Sequence, residues 1–109
     1  MRVLKFIVNG QIIEKDPNCD FSGLVPGTSG YVQAEFSFSP DWNGKAKAAA
    51  FYSAMGKEYP AKILEDGRTC MIPEEALDKR VFKIQIMGRT PDSYIVTNKV
   101  EVTQDGGAR

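Results

Sequence analysis

Apolar and polar residues alternate with a period of two along several short stretches of the chain. The clearest stretch is 31–38, in which every second residue is apolar. Its predicted inward-facing residues are Val32, Ala34, Phe36 and Phe38. The stretch 81–87 repeats the pattern, and its predicted inward-facing residues are Phe82, Ile84 and Ile86. Such alternation is typical of β-strands that have one buried face and one face in solvent.

Turn-forming dipeptides separate these stretches and indicate how many strands the chain forms. Asn9-Gly10 and Asp66-Gly67 are typical of tight hairpins, and the first predicts a type I′ turn. Pro60 has no backbone N–H group, so its strand is expected at a sheet edge. The eight predicted strands are 3–8, 11–14, 31–38, 45–53, 57–64, 69–72, 81–87 and 93–103.

The segment 45–53 is ambiguous, because its alanines favour a helix by intrinsic propensity. Lysine and alanine alternate at its start, however, and it closes on the strand-forming pair Phe51-Tyr52. Turn signals also lie on both sides of it. We therefore expect a strand.

The order of these elements predicts an all-β domain. Short strands separated by turns, with no alternation of strand and helix, are typical of an antiparallel β-sandwich or a small barrel. One short helical turn is expected at 73–77, where a proline and two acids stand at its start. We expect a single domain over residues 1–103, and a flexible glycine-rich tail at 104–109.

A long polar loop occupies residues 16–30, and its large apolar residues are Phe21, Leu24 and Val25. Loops of this length are uncommon in small domains unless they serve a purpose. The loop is either packed as a cover over the core or reserved for a neighbouring molecule. In the second case these three residues are the candidate protein-docking residues.

The charge balance excludes some classes of partner. The chain has 14 basic and 14 acidic residues, so it lacks the overall positive field that gathers nucleic acid or anionic lipid. We expect neither nucleic acid nor a membrane as a partner. The first residues lack the apolar core of a secretory signal, so synthesis in the cytoplasm is expected.

The two cysteines, Cys19 and Cys70, do not have the spacing of a metal site. The pattern places Cys70 at a core-facing strand position and Cys19 in a loop. We expect both thiols to be unpaired.

The residues that most enzymes need are missing or poorly placed. The chain contains no histidine, which excludes histidine-based triads. Its glycines do not match a phosphate-binding loop, and adjacent acids such as Glu74-Glu75 make poor catalytic pairs. We expect no catalytic residue, no metal and no cofactor. Asp16, Asp20, Asp41 and Asp92 lie beside turn-forming residues, so local turn stabilisation is their expected role.

Two aromatic residues allow a second interpretation. Tyr31 and Trp42 are candidates for stacking on sugar rings, because aromatic side chains offer flat apolar surfaces. In the alternative interpretation, Trp42 closes one end of the sandwich. Tyr31 lies opposite the predicted core face of its strand.

From Glu35 onward, several motifs resemble bacteriophage virion modules, in particular the amino-terminal domain of baseplate upper proteins. The motifs are FSFSPDW at 36–42, the alanine-rich stretch 46–51, CMIPEEAL at 70–77, FKIQIMG at 82–88 and IVTN at 95–98. The resemblance implies an immunoglobulin-like or jelly-roll-like sandwich. It also implies assembly into a symmetric ring or trimer, inside the reducing cytoplasm of an infected host.

Two functions follow as expectations. The first is a non-enzymatic structural protein of a phage particle, either a tail or baseplate component or a capsid decoration or fibre anchor. Its expected partners are other virion proteins and further copies of itself. The alternative is a carbohydrate-binding module that recognises a host surface polysaccharide.

Overall fold

Two β-sheets face each other across an apolar core in the computed structural model, which describes residues 1–105. The predicted all-β sandwich is confirmed. The strands are β1 (Arg2–Asn9), β2 (Ile12–Lys15), β3 (Val32–Phe38), β4 (Ala46–Ser53), β5 (Glu58–Ile63), β6 (Thr69–Met71), β7 (Val81–Thr90), β8 (Ser93–Val96) and β9 (Val100–Thr103). A 3₁₀ turn covers Pro40–Trp42, and a single turn of helix, α1, covers Glu74–Leu77.

The four-stranded sheet has the order β2-β1-β3-β6, and the five-stranded sheet has the order β5-β4-β7 followed by β8 and β9. β8 and β9 lie end to end along the same side of β7. β5 is an edge strand and contains Pro60, as predicted. The segment 46–53 is a strand throughout, so the tertiary pairing overrides the helical propensity of its alanines.

β1 and β3 pair in parallel, from Arg2 opposite Val32 to Val8 opposite Phe38. A purely antiparallel sandwich was expected, so this pair departs from the prediction. Parallel neighbours need a long crossover connection, because the chain must return to the starting end of the sheet. β2 and the loop 16–31 provide that connection. The loop is therefore long because it returns the chain to the starting end of the sheet.

The core is built from the inward-facing residues of both sheets. The alternation predicted for β3 and β7 is confirmed, since the predicted inward residues of β7 and the first three of β3 are buried and Phe38 is partly buried. The largest fully buried side chains include Trp42, Phe6, Phe36, Phe51 and Phe82. Phe6 and Phe36 stack with their ring centroids 5.5 Å apart, which joins β1 to β3.

The first hairpin uses a different turn from the predicted one. Asn9 pairs with Ile12, so Gly10 and Gln11 are the two central residues of the turn. Gly10 has a φ of +60°, whereas no residue other than glycine has a positive φ in the described chain. A glycine at the first central position with an ordinary residue after it is typical of a type II′ turn. The prediction of a type I′ turn centred on Asn9-Gly10 was therefore wrong.

The predicted last strand, 93–103, is interrupted by one extra residue. Met87 pairs with Val96, but Ile84 pairs with Val100, so residues 97–99 form a bulge. Inside the bulge, the Thr97 hydroxyl accepts a hydrogen bond from the backbone N–H of Ile86 at 3.0 Å. This side chain provides a hydrogen bond for the ladder where the backbone leaves it. Because the bulge divides the predicted last strand into β8 and β9, residues 1–105 form nine strands and not eight.

The bulge also brings Asn98 to the outer edge of β2. Its side-chain oxygen accepts from Ile13 N at 2.7 Å, and its amide nitrogen donates to Ile13 O at 3.3 Å. Asn98 N donates to Gln11 O at 3.1 Å. These bonds close one side of the sandwich and satisfy the backbone of an otherwise free edge strand.

The domain continues beyond the predicted boundary at residue 103. Gln104 is 1 % exposed, and its amide nitrogen donates to Leu77 O at 2.9 Å and to Lys79 O at 2.6 Å. Asp105 N donates to Leu24 O at 2.6 Å. Residues 104 and 105 are therefore part of the packed domain and not of a tail. The rest of the predicted tail, 106–109, lies outside the described residues.

Both cysteines, Cys19 and Cys70, are free. Cys70 is buried on β6, and this burial raises the pKa of its thiol to about 12. Cys19 lies in the loop after β2, and its sulfur accepts a hydrogen bond from Lys5 N at 3.3 Å. Within residues 1–105, no helix has the length and apolar character that crossing a membrane requires.

Candidate docking surface

The outer faces of the two sheets have different chemistry. The outer face of the four-stranded sheet is mostly polar, with Lys5 paired opposite Glu35 and Glu35 opposite Thr69. The guanidinium of Arg68 lies 3.3 Å from the carboxylate of Glu35. This is the usual composition of a sheet face that remains in water.

The outer face of the five-stranded sheet carries an apolar surface, which we call the alanine face. It consists of Ala46 and Ala48 on β4, Ile63 on β5, Met87 on β7 and Val96 on β8. Ala50 is in phase with these alanines but has no exposed surface, so it is not part of the face. Four side chains of the face stand at one level, because Ile63 pairs with Ala48, Ala48 with Met87, and Met87 with Val96. Ile63 is 70 % exposed. Ala46 is also exposed, and Ala48, Met87 and Val96 are partly exposed.

The position of Phe51 explains why the alanines point outward. Phe51 is fully buried, so residues two and four positions before it, Ala49 and Lys47, share its inward face. The side chain of Lys47 extends towards the other sheet, and its ammonium lies 5.2 Å from the ring centroid of Phe38 on β3. Alanine is depleted in strands, so three alanines on an outer face are not explained by β-propensity.

One end of the alanine face is held by a chain of polar contacts around Tyr52. The Tyr52 hydroxyl donates to Gln85 Oε1 at 2.8 Å, and Gln85 Nε2 donates to Thr97 O at 2.8 Å. The ammonium of Lys99 lies 3.9 Å from the Tyr52 ring centroid. Partial burial, followed by the charges of Glu58 and Tyr94, raises the pKa of Tyr52. The phenol therefore stays neutral and keeps its role as a donor at physiological pH.

The opposite end carries a cation and an aromatic ring on neighbouring strands. Arg89 pairs with Tyr94, and its guanidinium carbon lies 5.1 Å from the ring centroid. Tyr94 is 56 % exposed. Aromatic residues and arginine are enriched in the energetically important parts of protein interfaces. Both ends of the face thus offer groups suited to a protein partner.

The three predicted docking residues of the loop 16–30 have different positions. Leu24 is 4 % exposed and belongs to the core, so its predicted docking role was wrong. Phe21 packs edge-on against Phe6 at 5.4 Å and is partly buried. Val25 is exposed. The loop is therefore packed as a cover, which is one of the two alternatives that the sequence left open, and only Val25 presents a largely exposed apolar side chain.

The predicted sugar-stacking pair is not assembled. Trp42 has no exposed surface, and its indole nitrogen donates to Gly10 O at 2.8 Å. It closes one end of the sandwich, as in the alternative interpretation, and cannot stack on a sugar. Tyr31 is 52 % exposed but lies at the opposite end of β1 and β3, where its carbonyl accepts from Arg2 N.

Two concave regions lie away from the alanine face. A cleft of about 450 Å³ lies where the edges of β5 and β6 approach each other, and Lys62, Asp66 and Cys70 are among its lining residues. An apolar groove lies between the β4–β5 hairpin and α1, next to Met55, which is 95 % exposed. Burial raises the pKa of the Cys70 thiol to about 12, so in the first cleft this thiol stays protonated at neutral pH and is not an activated nucleophile.

The loop aspartates contact their own turns. Asp16 accepts from Asn18 N at 2.9 Å, and Asp20 accepts from the backbone and hydroxyl of Ser22. These bonds, with a smaller contribution from Arg2, lower the pKa of Asp20. No group of three or more potential metal ligands occurs within residues 1–105. The local role predicted for Asp16 and Asp20 is confirmed.

A comparison of the chain with models of protein families gave no match, and neither did a comparison with curated proteins. The resemblance to phage virion modules stays a prediction.

The alanine face was not identified from the sequence. The signal was present in the phase of Phe51, which assigns Ala46, Ala48 and Ala50 to the outer side of their strand. Which strands flank β4 cannot be read from local periodicity. Ile63 and Met87 can therefore be assigned to the same surface as the alanines only from the sheet order.

Proposed function

We propose that this chain is a non-enzymatic structural module that takes part in the assembly of a bacteriophage particle through protein–protein contacts of its alanine face. The observation that carries the proposal is the apolar row of Ile63, Ala48, Met87 and Val96 across four adjacent strands. The outer sides of antiparallel sheets are ordinarily polar. A contiguous exposed apolar surface is typical of a binding site for another protein.

The flatness of the face supports a broad contact instead of a small-molecule site. Small-molecule sites are concave and surround most of the ligand surface. The alanine face is an open sheet surface on which two side chains, Ala46 and Ala48, end at a single methyl group. Such a surface allows another sheet or helix to approach closely.

The rigidity of the face also supports docking. β4 pairs with β7 over eight consecutive residue pairs, from Ala46 opposite Arg89 to Ser53 opposite Phe82. The contacts of Tyr52, Gln85 and Thr97 hold one end of the surface in place. A surface that is ordered before binding loses less conformational entropy when the partner arrives.

The resemblance of the stretches 36–42, 70–77 and 82–88 to virion modules supports the phage setting. In that setting the chain is a tail or baseplate component, or a capsid decoration or fibre anchor. Its partners are other virion proteins and further copies of itself. The lack of histidine and the balanced charge agree with a structural role.

The test is incorporation of the chain into particles. Particles released from a host strain that carries the gene are purified on a density gradient, and the chain is quantified in them by mass spectrometry. Ala48→Lys places a charge at the centre of the alanine face. Ser37→Lys is the matched control, because Ser37 is exposed on the outer face of the other sheet.

We expect the wild-type chain and Ser37→Lys in the particles, and Ala48→Lys reduced by about tenfold or more. Absence of the wild-type chain from purified particles overturns the phage setting. Incorporation of Ala48→Lys at the wild-type level overturns the role of the alanine face. Saturable binding of host wall polysaccharide by a chain that is absent from particles supports the carbohydrate-binding alternative.

A further inference from the structure

We propose that the occupant of the alanine face is a second copy of this chain, packed face to face about a two-fold axis that runs along the strands between β4 and β7. The inference rests on the proposed function, because it names the partner of the same surface. Its basis is the shape of the face.

β4 and β7 form a groove and a ridge that lie side by side. The outer side chains of β4 are small, and the paired outer side chains of β7 are long. The pairs that form this relief are Ala46 with Arg89 and Ala48 with Met87, whereas Ala50, opposite Gln85, has no exposed surface. Ile63 on β5 borders the other side of the groove, opposite Ala48. Along this part of the sheet, the surface therefore falls at β4 and rises at β7.

A two-fold axis midway between the two strands places the ridge of one copy in the groove of the other. Met87 of each copy then lies over Ala48 of the second copy, because the two residues are at the same level of the sheet. Arg89 lies over Ala46 in the same way. Sheets pack about 10 Å apart with their strands roughly aligned, and large side chains opposite small ones fill that space.

The same axis also completes the apolar row. It places Val96 of one copy over Ile63 of the other, so all four members of the row contact an apolar partner. Burial of the 70 % exposed Ile63 is the largest single apolar gain. An interface of this kind is isologous, which means that each contact occurs twice.

The competing arrangement, with the two-fold axis across the strands, fits less well. It places the alanines of one copy over the alanines of the other, which leaves a gap between the sheets. A gap between the two layers opposes association, because stable interfaces are packed at their centre as densely as protein interiors.

The remaining charges of the face lie outside the apolar row. Glu58, Lys83 and Glu101 stand at the level of Tyr52, at one end of the sheet. The proposed axis places Glu58 of one copy over Glu101 of the other, and this like-charge contact lies at the rim, where water and salt screen it. The centre of the contact is therefore apolar and the rim is polar, as in stable protein interfaces.

The first experiment measures association of the purified full-length chain by sedimentation velocity over a range of concentrations. We expect a reversible dimer for the wild type and for the control Ser37→Lys. Ala48→Lys and Met87→Glu each place an unpaired charge in the contact, so each should raise the dimer dissociation constant by about tenfold or more. Ala48 and Met87 lie on the outer face, so circular dichroism should show unchanged folding.

The second experiment tests the orientation by charge exchange. When Ala48→Lys is mixed with Met87→Glu, the lysine of one copy faces the glutamate of the other, so a heterodimer should form. A mixture of Ala48→Lys with Ala48→Glu should remain monomeric, because residue 48 does not face itself. The opposite result, with rescue only in the second mixture, overturns the proposed axis and supports the axis across the strands.

The two proposals fail in different ways. A monomeric wild-type chain at every concentration overturns self-association, even if Ala48→Lys still prevents incorporation into particles. In that case the alanine face binds another protein, and the proposed function stands. A dimer that shows the expected charge exchange but is absent from particles overturns the proposed function and leaves the self-association intact.

Discussion

The indole ring of Trp42 packs directly against the backbone of Gly88. A methyl group on Gly88 would place its carbon 2.7 Å from Cζ3 and 2.8 Å from Cε3 of Trp42. Real side-chain contacts are longer than this, so only glycine leaves room for the ring. Gly88 has no unusual backbone conformation, since it is a regular β7 residue paired with Lys47 and Ile95. Space, and not backbone freedom, is the reason for glycine here.

Gly88→Ala should therefore destabilise the protein through overpacking. We expect a loss of about 1–3 kcal/mol in the free energy of unfolding. Urea unfolding followed by far-ultraviolet circular dichroism measures this loss, because that signal does not depend on the single tryptophan. Trp42→Phe provides the control, because the smaller ring relieves the crowding. If Gly88→Ala costs as much in the Trp42→Phe background as in the wild type, the contact is not the cause.

Replacement of Asn98 should weaken the attachment of β2 to the edge of the five-stranded sheet. Replacement by alanine removes both hydrogen bonds to the backbone of Ile13. We expect a loss of about 1–2 kcal/mol. Hydrogen exchange of the Ile13 amide should become faster, while the amides of β3 change little. Asn43→Ala, at an exposed turn, is the control. Unchanged protection of Ile13 in the Asn98 variant would show that the backbone alone holds this edge.

Much of the fold could be predicted from the sequence because period-two alternation records burial locally. The inward side chains of β3 and β7 and the edge position of Pro60 are examples. The parallel pairing of β1 and β3 could not be predicted in this way. The local alternation of apolar and polar residues does not record which strands become neighbours. In sequence, the crossover at 16–31 also looks the same as any other long polar loop.

The exposure of individual residues outside the regular strands was harder to predict, because it depends on which other parts of the chain pack against them. Leu24 and Val25 are adjacent and chemically alike, yet one is in the core and the other is exposed. No periodicity separates them in an irregular loop. Gln104 shows the same difficulty at the end of the chain. It stands beside a glycine-rich tail, and only the tertiary fold brings the carbonyls of Leu77 and Lys79 to its amide.

The buried amide of Gln104 should tolerate neither loss of its donor nor gain of a charge. Gln104→Met keeps the volume but leaves two carbonyls without their donor, so we expect a loss of about 1–3 kcal/mol. Gln104→Glu should cost more at pH 7, because a buried carboxylate then faces two carbonyl oxygens. Burial disfavours this charge, so part of the loss should be recovered as the pH falls and the introduced carboxyl becomes protonated.

Chemical denaturation of both Gln104 variants between pH 7 and pH 4 measures these effects. The glutamate variant should approach the methionine variant as the pH falls. Wild-type stability in both variants would mean that Gln104 belongs to the tail after all, in contradiction to its burial.

Asp66 should make the folded state sensitive to acid. Its carboxylate accepts hydrogen bonds from the Thr69 hydroxyl, Arg68 N and Thr69 N, and these bonds lower its pKa from 3.8 to about 2. Because the folded state favours the ionised form, this contribution to stability is complete above about pH 4 and is lost as the pH falls towards 2. Asp66→Asn should therefore show a flatter decline of melting temperature between pH 4 and pH 2 than the wild type. Asp92→Asn, at the exposed β7–β8 turn, is the control. Equal slopes for the wild type and Asp66→Asn would show that these hydrogen bonds do not couple folding to protonation.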